Sequence, residues 1–249
     1  MQIIPLSEGA FTIDKTKLFV PFDTGQDDLQ QRPTGSLLVE VQPFAIVTTD
    51  DILVIDTGLG FEKDGKLQIH GNLENAGIAP ADVTKVLLSH LHKDHAGGIG
   101  CLRAGVPAAN RELSFPQAKY YIQRRELEYA FEKGPSSYLT EELECLKSSP
   151  QVVFLDGDGV LDGYIRYTVT GAHCPWHQSF RIVEGGETAF FGGDVAPQLQ
   201  QMKSRFVAKY DYDGRKAMEL RQEWWQQGQK EGWTFLFYHD VKTPIFAFR

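Results

Sequence analysis

The sequence predicts an α/β protein in which β-sheets are covered by helices. Short apolar runs typical of strands occur in both halves of the chain, and stretches with helical spacing of apolar residues lie between them. Of the 249 residues, 42% are apolar and 23% are charged, which is ordinary for a globular protein. The chain is therefore long enough, and apolar enough, to bury a sizeable core.

The first half of the chain opens with a polar stretch and then turns to strands. Residues 23–35 are rich in Gln, Asp, Gly and Pro, and we expect a surface loop there rather than a domain boundary. Two apolar runs, 37–48 and 52–55, are separated by a short polar turn and predict a β-hairpin. Residues 72–77 predict a short helix, and the apolar run 85–89 predicts a buried strand.

A helical insert is predicted next, at about residues 111–148. Residues 126–132 and 141–147 within it carry apolar side chains at helical spacing. No internal repeat divides the chain, so we expect one domain, 1–249. The later elements are predicted as strands at 152–155, 164–170, 180–183, 188–191 and 234–238, with one long helix at about 215–230.

The charge and the cysteine content limit which partners and which cellular compartment we expect. The formal net charge of -8 is spread along the chain, which argues against nucleic acid as a partner. Cys101, Cys145 and Cys174 are far apart and indicate neither a disulfide framework nor a thiolate zinc site. The N-terminus lacks signal-peptide features, and no run reaches the roughly eighteen apolar residues that a membrane span needs. We expect a cytoplasmic protein that does not contact a membrane.

The strongest chemical signal is the run HLHKDH at residues 90–95, with three imidazoles and one carboxylate. At the end of a strand, His90 and His92 point to the same side, because side chains alternate with a period of two. If the chain turns there, Asp94 and His95 project toward a second ion nearby. The alternative is a group of surface histidines in a polar loop. The apolar strand before the run, and the clustering of three of only seven histidines, favour a metal site.

Four residues do not complete two metal sites, so further ligands must come from later in the chain. His173, Asp194 and His239 each follow an apolar run of strand type. Taken alone, each of them also suits a structural role, such as a hydrogen-bonded histidine or a Gly-Gly-Asp turn. Their joint presence after the cluster favours a shared metal centre.

The chain resembles the metallo-β-lactamase superfamily in the order of its motifs. These are HxHxDH, a later histidine, a Gly-Asp after a strand and a late histidine. The resemblance spans about residues 37–239 and includes the strand end IDTG at 55–58. It implies an αββα four-layer sandwich, with two mixed sheets face to face and helices outside. It also implies that His90, His92 and His173 hold a first metal ion, that Asp94, His95 and His239 hold a second, and that Asp194 bridges them.

Two segments, 115–128 and 176–180, are more narrowly similar to the branch of N-acyl homoserine lactone lactonases and organophosphate hydrolases. The chain departs from that branch at 170–177, where TGAHCPWH stands for the Pro-Gly-His-Thr-Pro-Gly-His common in relatives. Trp176 thereby replaces a glycine, which weakens any inference about the substrate. Cys174 is interpreted as a small buried residue, because the histidines already fill both sites.

A two-metal hydrolase is the expected activity. Two divalent ions, zinc first with iron or manganese as alternatives, can share a hydroxide that attacks an ester-like bond, either a lactone or an organophosphate or aryl ester. Asp94 is the expected catalytic residue, which orients the nucleophile or relays a proton to the leaving group. Asp56 is expected either to accept the outer N–H of a ligand histidine or to stabilise its own turn. His177 is expected in a similar outer position or as a backbone-bonded strand residue.

Other activities remain open on the same residues. A glyoxalase II-like thioesterase is the first alternative, and an iron-dependent redox enzyme on the same fold is the second. Metal analysis separates them, since one iron per chain favours a dioxygenase and two zinc-like ions favour a hydrolase. A non-catalytic binding module has no need of the complete ligand set, and the acidic charge disfavours a nuclease. The expected partner is a small-molecule substrate, and the oligomeric state is left open, a homodimer included.

Two groups of aromatic residues are interpreted from spacing alone. Trp224 and Trp225 recur at helical spacing with Ala217, Met218 and Leu220, which predicts a core stripe rather than a substrate pocket. The aromatic side chains of the helical insert are predicted to roof the site, which would suit an apolar or aromatic substrate. These are Tyr120, Tyr121, Tyr129, Phe131 and Tyr138.

Overall fold

Strands and helices alternate through the structure, a computed structural model that describes residues 1–100 and 112–248. The α-helices in these ranges are α1 (Gln68–Asn75), α2 (Lys93–Ala96), α3 (Arg124–Lys133), α4 (Thr140–Leu143), α5 (Leu199–Met202) and α6 (Gly214–Glu231), and short 3-10 helices lie at Pro80–Asp82, Glu144–Lys147 and Gly193–Val195. The strands are β1 (Gln2–Pro5), β2 (Gly9–Ile13), β3 (Val20–Pro21), β4 (Leu37–Val41), β5 (Phe44–Val47), β6 (Ile52–Ile55), β7 (Glu62–Lys63), β8 (Lys66–Leu67), β9 (Lys85–Leu87), β10 (Lys119–Gln123), β11 (Val152–Leu155), β12 (Gly159–Leu161), β13 (Ile165–Val169), β14 (Gln178–Glu184), β15 (Glu187–Phe191), β16 (Thr234–Leu236) and β17 (Ile245–Ala247).

Two six-stranded mixed sheets form the centre of the fold. The first has the spatial order β1-β5-β6-β9-β10-β11, and the second has the order β12-β13-β14-β15-β16-β17. In the first sheet β6, β9, β10 and β11 are parallel, and in the second β15 and β16 are parallel. The carboxyl ends of several parallel strands therefore meet at one edge, as expected for a ligand site in such sheets.

Three apolar clusters show how the layers are stacked. The cluster between the two sheets joins Phe44 of the first sheet to Phe191 of the second. A second cluster packs α1, through Leu73, against the outer face of the first sheet. A third packs Trp224 of α6 against Phe235 of the second sheet. The order helix, sheet, sheet, helix confirms the predicted αββα sandwich.

Strand β6 illustrates why its run of apolar residues is continuous rather than alternating. Leu53 and Ile55 belong to the cluster between the sheets, whereas Val54 belongs to the cluster under the helices. Both faces of the strand are thus buried, which is typical of strands in parallel sheets. The tryptophan stripe of α6 is also in the core, as predicted, since Ala217 and Trp224 are both buried there.

The predicted hairpin is present but begins later than the apolar run does. β5 and β6 pair antiparallel, with Val47 opposite Ile52. Leu37–Val41 instead forms β4 and pairs with β2 in a small sheet, β3-β2-β4. Pro43 separates β4 from β5, and its missing N–H interrupts a strand ladder. The loop predicted at 23–35 is exposed throughout.

The insert predicted at about 111–148 is only in part helical. α3, α4 and a 3-10 turn are present, but Lys119–Gln123 forms β10, an interior strand paired in parallel with β9 and β11. Tyr and Ile favour strands, and Tyr120 and Ile122 are fully buried in this one. Cys101 and the start of the predicted insert lie outside the described residues.

The strands near the amino-terminal end were not predicted from the sequence. The sequence indicated no strand before residue 37, whereas β1 joins the first sheet beside β5, and β2 pairs with β4. α1 begins at Gln68 and ends at Asn75, earlier than the predicted 72–77. Among the described residues, no helix combines the length and the apolar character needed to cross a membrane.

Candidate metal centre

The seven side chains singled out in the sequence converge where the two sheets meet. His90 and His92 follow β9, and α2 begins directly after His92 and carries Asp94 and His95. The remaining three come from the second sheet. His173 follows β13, Asp194 lies in the 3-10 helix after β15, and His239 follows β16. They form two neighbouring groups, His90 with His92, His173 and Asp194, and Asp94 with His95 and His239.

The first group brings three imidazole nitrogens together at short range. His92 Nδ1 lies 2.9 Å from His90 Nε2 and 3.1 Å from His173 Nε2. His173 Nε2 also lies 3.3 Å from Asp194 Oδ2. Such an arrangement places four possible donor atoms around one point, which suits an ion held by nitrogen and oxygen.

The second group lies on the other side of Asp194. Asp194 Oδ1 is 3.1 Å from His95 Nε2 and 3.0 Å from His239 Nε2. Asp94 Oδ2 completes the group at 3.5 Å from His239 Nε2. Because the two oxygens of Asp194 face different groups, its carboxylate stands between the two candidate sites.

The outer hydrogen bonds of the histidines direct their lone pairs into the centre. His95 Nδ1–H donates to Asp56 Oδ2 at 2.8 Å, and His239 Nδ1–H donates to the Glu40 carbonyl at 2.6 Å. In the neutral form of each ring, with this proton placed outward, Nε2 is an acceptor that faces an oxygen of Asp194. Two acceptors at about 3 Å repel each other unless a cation, a proton or a metal ion, lies between them.

Two buried polar atoms support the same conclusion. His95 Nε2 and Asp194 Oδ1 are fully buried and have no hydrogen-bond partner among the described residues. Buried polar groups are normally satisfied, and since these two atoms lie 3.1 Å apart, a cation between them would satisfy both. Imidazole and carboxylate ligands are those that zinc-type ions prefer. The residues present therefore fit two divalent ions.

The ionisation of the centre follows from burial and from neighbouring charges. Burial and the adjacent imidazoles lower the pKa of His90 well below its usual range, so this ring is neutral. Burial acts to raise the pKa of Asp194, but His239, His95 and His173 hold it well below the ordinary value. Burial acts to lower the pKa of His95, His173 and His239, but the Asp194 carboxylate raises it above the ordinary value, so a bound metal ion takes the place of protons on these rings.

Asp56 fills both of the roles that were expected for it. Its carboxylate accepts the Ser89 N–H and the Ser89 hydroxyl, each at 2.7 Å, as well as the N–H of His95. Asp56 is fully buried and has a φ of +56°, a left-handed conformation that Asp tolerates better than most residues. It therefore fixes the turn after β6 and the orientation of His95 together.

His177 lies behind the centre and holds the backbone of Asp194. Its Nε2 accepts the Asp194 N–H at 3.2 Å, and its Nδ1–H donates to Thr170 Oγ1 at 2.9 Å. Burial lowers the pKa of His177 well below its usual range, which keeps Nε2 an acceptor. Gly193 has a φ of +51°, and a Cβ there would lie 2.4 Å from His177 Nε2, so the close approach requires glycine.

Several functional residues were not found in the sequence. His173 Nδ1–H donates to Asp211 Oδ1 at 2.9 Å, and Asp211 lies in a loop before α6 where no strand or motif marks it. The Tyr238 ring stacks on His95 with a centroid distance of 4.0 Å, and its hydroxyl donates to the Asp94 carbonyl at 2.6 Å. Tyr238 belonged to the predicted last strand, but nothing in its spacing indicated this contact.

A cavity of about 440 Å³ opens onto the centre. Five of the seven residues of the centre reach it, and its other walls come from the amino-terminal segment, β4 and the loops before α6. The side chains of Ile13, Phe19, Leu37, Leu38 and Val39 give one wall an apolar character. The residues of the centre that line the cavity are His92, Asp94, His173, Asp194 and His239.

The aromatic roof predicted from the insert is not found among the described residues. Ser137 is the insert's contribution to the cavity. Tyr138 instead packs against the side of His92, with ring centroids 4.9 Å apart. Cys174 is buried, as predicted, and its thiol donates to Glu126 at 3.3 Å, while Trp176 stacks under Arg125 outside the cavity lining. The other aromatic residues of the predicted roof, Tyr120, Tyr121, Tyr129 and Phe131, pack against the two apolar clusters of the first sheet.

Sequence comparisons identify relatives for most of this architecture. The sequence model of the metallo-beta-lactamase superfamily matches residues 39–239. The N-acyl homoserine lactonase AttM of Azorhizobium caulinodans is 36% identical over 113 residues, which are 43% of this chain and 38% of the relative. An N-acyl homoserine lactonase of Bacillus cereus is 32% identical over 111 residues, or 44% of this chain and 37% of the relative. The chain thus matches less than half of the length of these curated relatives.

Solved structures share the fold over nearly the whole chain. A probable metal-dependent hydrolase from Staphylococcus aureus has a TM-score of 0.78 at 21% identity, covering 99% of this chain and 91% of that one. AidC, a dizinc quorum-quenching lactonase in complex with a product, has a TM-score of 0.72 at 17% identity, covering 98% of this chain and 89% of that one. At such identities the likeness concerns the fold alone.

Proposed function

Because the chain belongs to the metallo-beta-lactamase superfamily, we propose that it is a metal-dependent hydrolase of ester-like bonds with a two-metal centre. The observation that carries this proposal is the position of Asp194, whose two carboxylate oxygens face two separate groups of imidazole and carboxylate ligands. A site for one ion has no need of this arrangement. We also propose that residues 1–249 form one domain, because both sheets share a central apolar cluster.

The proposed ligands follow the two geometric groups. His90, His92 and His173 would hold one ion, Asp94, His95 and His239 would hold the other, and Asp194 would bridge them. Two divalent ions, zinc by our first choice, would polarise a scissile carbonyl oxygen and make a shared water acidic enough to attack near neutral pH.

Asp94 is the residue that we propose acts directly on the reacting atoms. It lines the cavity, and the hydrogen bond from Tyr238 to its carbonyl fixes its backbone. Its carboxylate can orient the attacking water and pass a proton to the oxygen of the leaving group, because it lies at the cavity floor. His177 and Asp56 act behind the centre by holding Asp194 and His95 in place.

A lactone is the substrate class that we place first. The similarity to the N-acyl homoserine lactonases, although it covers 43% of this chain, supports that choice. The apolar wall beside the centre suits the hydrocarbon part of such a molecule. Aryl esters and organophosphates come second, since the same centre polarises their carbonyl or phosphoryl oxygen equally well.

The proposal is tested by measuring hydrolysis with metal-loaded protein on a panel of lactones, aryl esters, phosphotriesters and thioesters. We expect turnover of a lactone or aryl ester, its loss on chelation and its return when zinc, manganese or iron is restored. D94N should lower kcat by about 100-fold, whereas D156N, at an exposed carboxylate away from the centre, should leave it unchanged. Absence of turnover on every class by metal-loaded protein would overturn the proposal.

A further inference from the structure

Three lysines stand at the edge of the cavity above the metal centre. Lys15, Lys17 and Lys93 all line it, and we refer to them as the lysine rim. The chain as a whole carries a net charge of -8, so the charge of the lysine rim is opposite in sign to that of the whole protein. Cationic side chains around a cavity raise the local concentration of anionic ligands.

The lysine rim is built from separate segments that are held together. The ammonium of Lys17 donates to Ser137 Oγ, and the Lys93 N–H donates to the Ser137 carbonyl at 2.9 Å. The ammonium of Lys93 lies 6.0 Å from the centre of the Phe19 ring. The amino-terminal segment, the turn before α4 and the start of α2 are therefore held together beside the same cavity.

No carboxylate neutralises the lysine rim through an ion pair in the part of the chain that the structure describes. Asp14 also lines the cavity, but its Oδ1 accepts the N–H and the hydroxyl of Thr16, at 2.9 and 2.6 Å. Three ammonium groups thus share the edge of the cavity with one carboxylate that is already hydrogen-bonded. The carboxylates of Asp94 and Asp194 also line the cavity, and two divalent ions held there would offset their charge.

Lys17 occupies a backbone conformation in which glycine is favoured. Lys17 has a φ of +58°, in the left-handed region that favours glycine, and its N–H closes a turn on the Asp14 carbonyl at 2.9 Å. A lysine there is strained relative to glycine.

We propose that the natural substrate of this hydrolase carries an anionic oxygen group, a carboxylate or a phosphate, which the lysine rim binds while the ester-like bond lies at the metal centre. This inference rests on the proposed function and deepens it by naming a substrate class. The apolar wall of Ile13, Phe19 and Leu37 then contacts the part of the molecule between the scissile bond and the anion. An anionic group at this end of the substrate would supply the opposite charge that the ammonium groups lack among the described residues.

The test compares matched substrates that differ at one end. One pair is an N-acyl homoserine lactone whose six-carbon acyl chain ends in a carboxylate and the same lactone ending in a methyl group. A second pair makes the same comparison in a nitrophenyl ester, and a phosphate-ended analogue distinguishes the two anions. We expect kcat/KM to favour the anionic member, and the preference to fall as salt is raised to about 0.5 M, where exposed charges are screened.

Variants assign the preference to the lysine rim. K17M should reduce the ratio of kcat/KM between the anionic and neutral substrates by about fivefold, and K15M/K17M should reduce it further. K17G should have the same effect on the ratio while relieving the backbone strain, so a loss of folding does not explain the result. K63M removes an exposed lysine of β7 outside the cavity lining and should leave the ratio unchanged.

The outcomes separate the inference from the function on which it rests. Hydrolysis of the neutral members without preference for the anionic ones overturns the inference and leaves the proposed function intact. A preference that K17M and K17G do not change also overturns it. Hydrolysis of neither member of either pair overturns the proposed function, and the inference falls with it.

Discussion

At the scale of single residues, several side chains of the centre are held in place by hydrogen-bond partners outside it. Asp194 is held by the ring of His177 through its backbone and faces both groups through its carboxylate. His95 and His173 each donate an outer N–H to a carboxylate, Asp56 or Asp211. Such outer partners set the tautomer and raise the basicity of the ligand nitrogen. Their loss should therefore weaken metal binding without removing a ligand.

Asp211 offers the most direct test of an outer partner. D211N keeps the size and an acceptor but removes the charge that holds the proton on His173 Nδ1. We expect the affinity for one of the two ions to fall by about tenfold, and D211A to lower it further. A competition titration with a chromophoric chelator measures the change. D156N serves as the control, and an affinity equal to that of the wild type in D211A would contradict the role given to Asp211.

The sequence was sufficient to find the seven residues of the centre but not their partners. The seven side chains stand in a compact motif or after strands, and both signals can be read from a single chain. Asp211 and the Glu40 carbonyl have no such signal, because a loop and a backbone oxygen reach the histidines only through the tertiary fold. Lys17 was missed for the same reason, since residues 14–19 were not placed near the cluster.

At the scale of elements, strand ends place the chemistry and helices brace it from outside. β9, β13, β15 and β16 each deliver part of the centre, and α6 packs over the second sheet. β10 was not predicted as a strand, because its short run of Tyr and Ile lies next to helical segments and was included in the predicted helical insert. The division between β4 and β5 was not predicted either, because the apolar run looks continuous and a single proline divides it.

Gly228 of α6 tests how tightly this helix packs on the second sheet. A Cβ at Gly228 would lie 2.5 Å from two ring carbons of Phe235, which is buried beside Trp233. Alanine gains about 1 kcal/mol of helix propensity, but overpacking a core costs about 1–3 kcal/mol. We expect G228A to lower the free energy of unfolding in urea. Q229A, at the exposed neighbouring position, should change it by less than about 0.5 kcal/mol. A G228A variant more stable than the wild type would show that the helix can shift.

At the scale of the whole molecule, the centre links the two sheets. Four of its residues come from the first sheet and its following helix, and three come from the second. An ion bound by both groups stabilises the folded state only, since the unfolded chain does not assemble the ligands. Metal binding and global stability should therefore rise together.

Glu126 is, with Glu8, one of two buried carboxyl groups whose pKa burial raises to about 7, and comparison with a variant isolates its share of the pH dependence. Burial raises the pKa of Glu126 from 4.5 to about 7, although Leu91, Cys174 and Tyr138 donate to it. The folded state therefore holds this proton more tightly than the unfolded chain does. Its stabilising contribution is complete below pH 4.5 and is lost as the pH rises through 7, a change of about 3 kcal/mol.

Urea unfolding of chelated protein between pH 4.5 and 7.5 tests this assignment. E126Q cannot lose the proton, so its free energy of unfolding should rise relative to the wild type by about 3 kcal/mol across the range. E128Q, at an exposed position on the same helix, should follow the wild type. Parallel curves for E126Q and the wild type would contradict the assignment.

The central claim is that seven side chains hold two neighbouring ions, and the metal content of purified, reconstituted protein tests it most directly. Elemental analysis by mass spectrometry should find two divalent ions per chain in the wild type. D194A, which removes the carboxylate between the two groups, should retain fewer than two. A wild-type protein that binds no ion, or that saturates with a single iron, would contradict the claim.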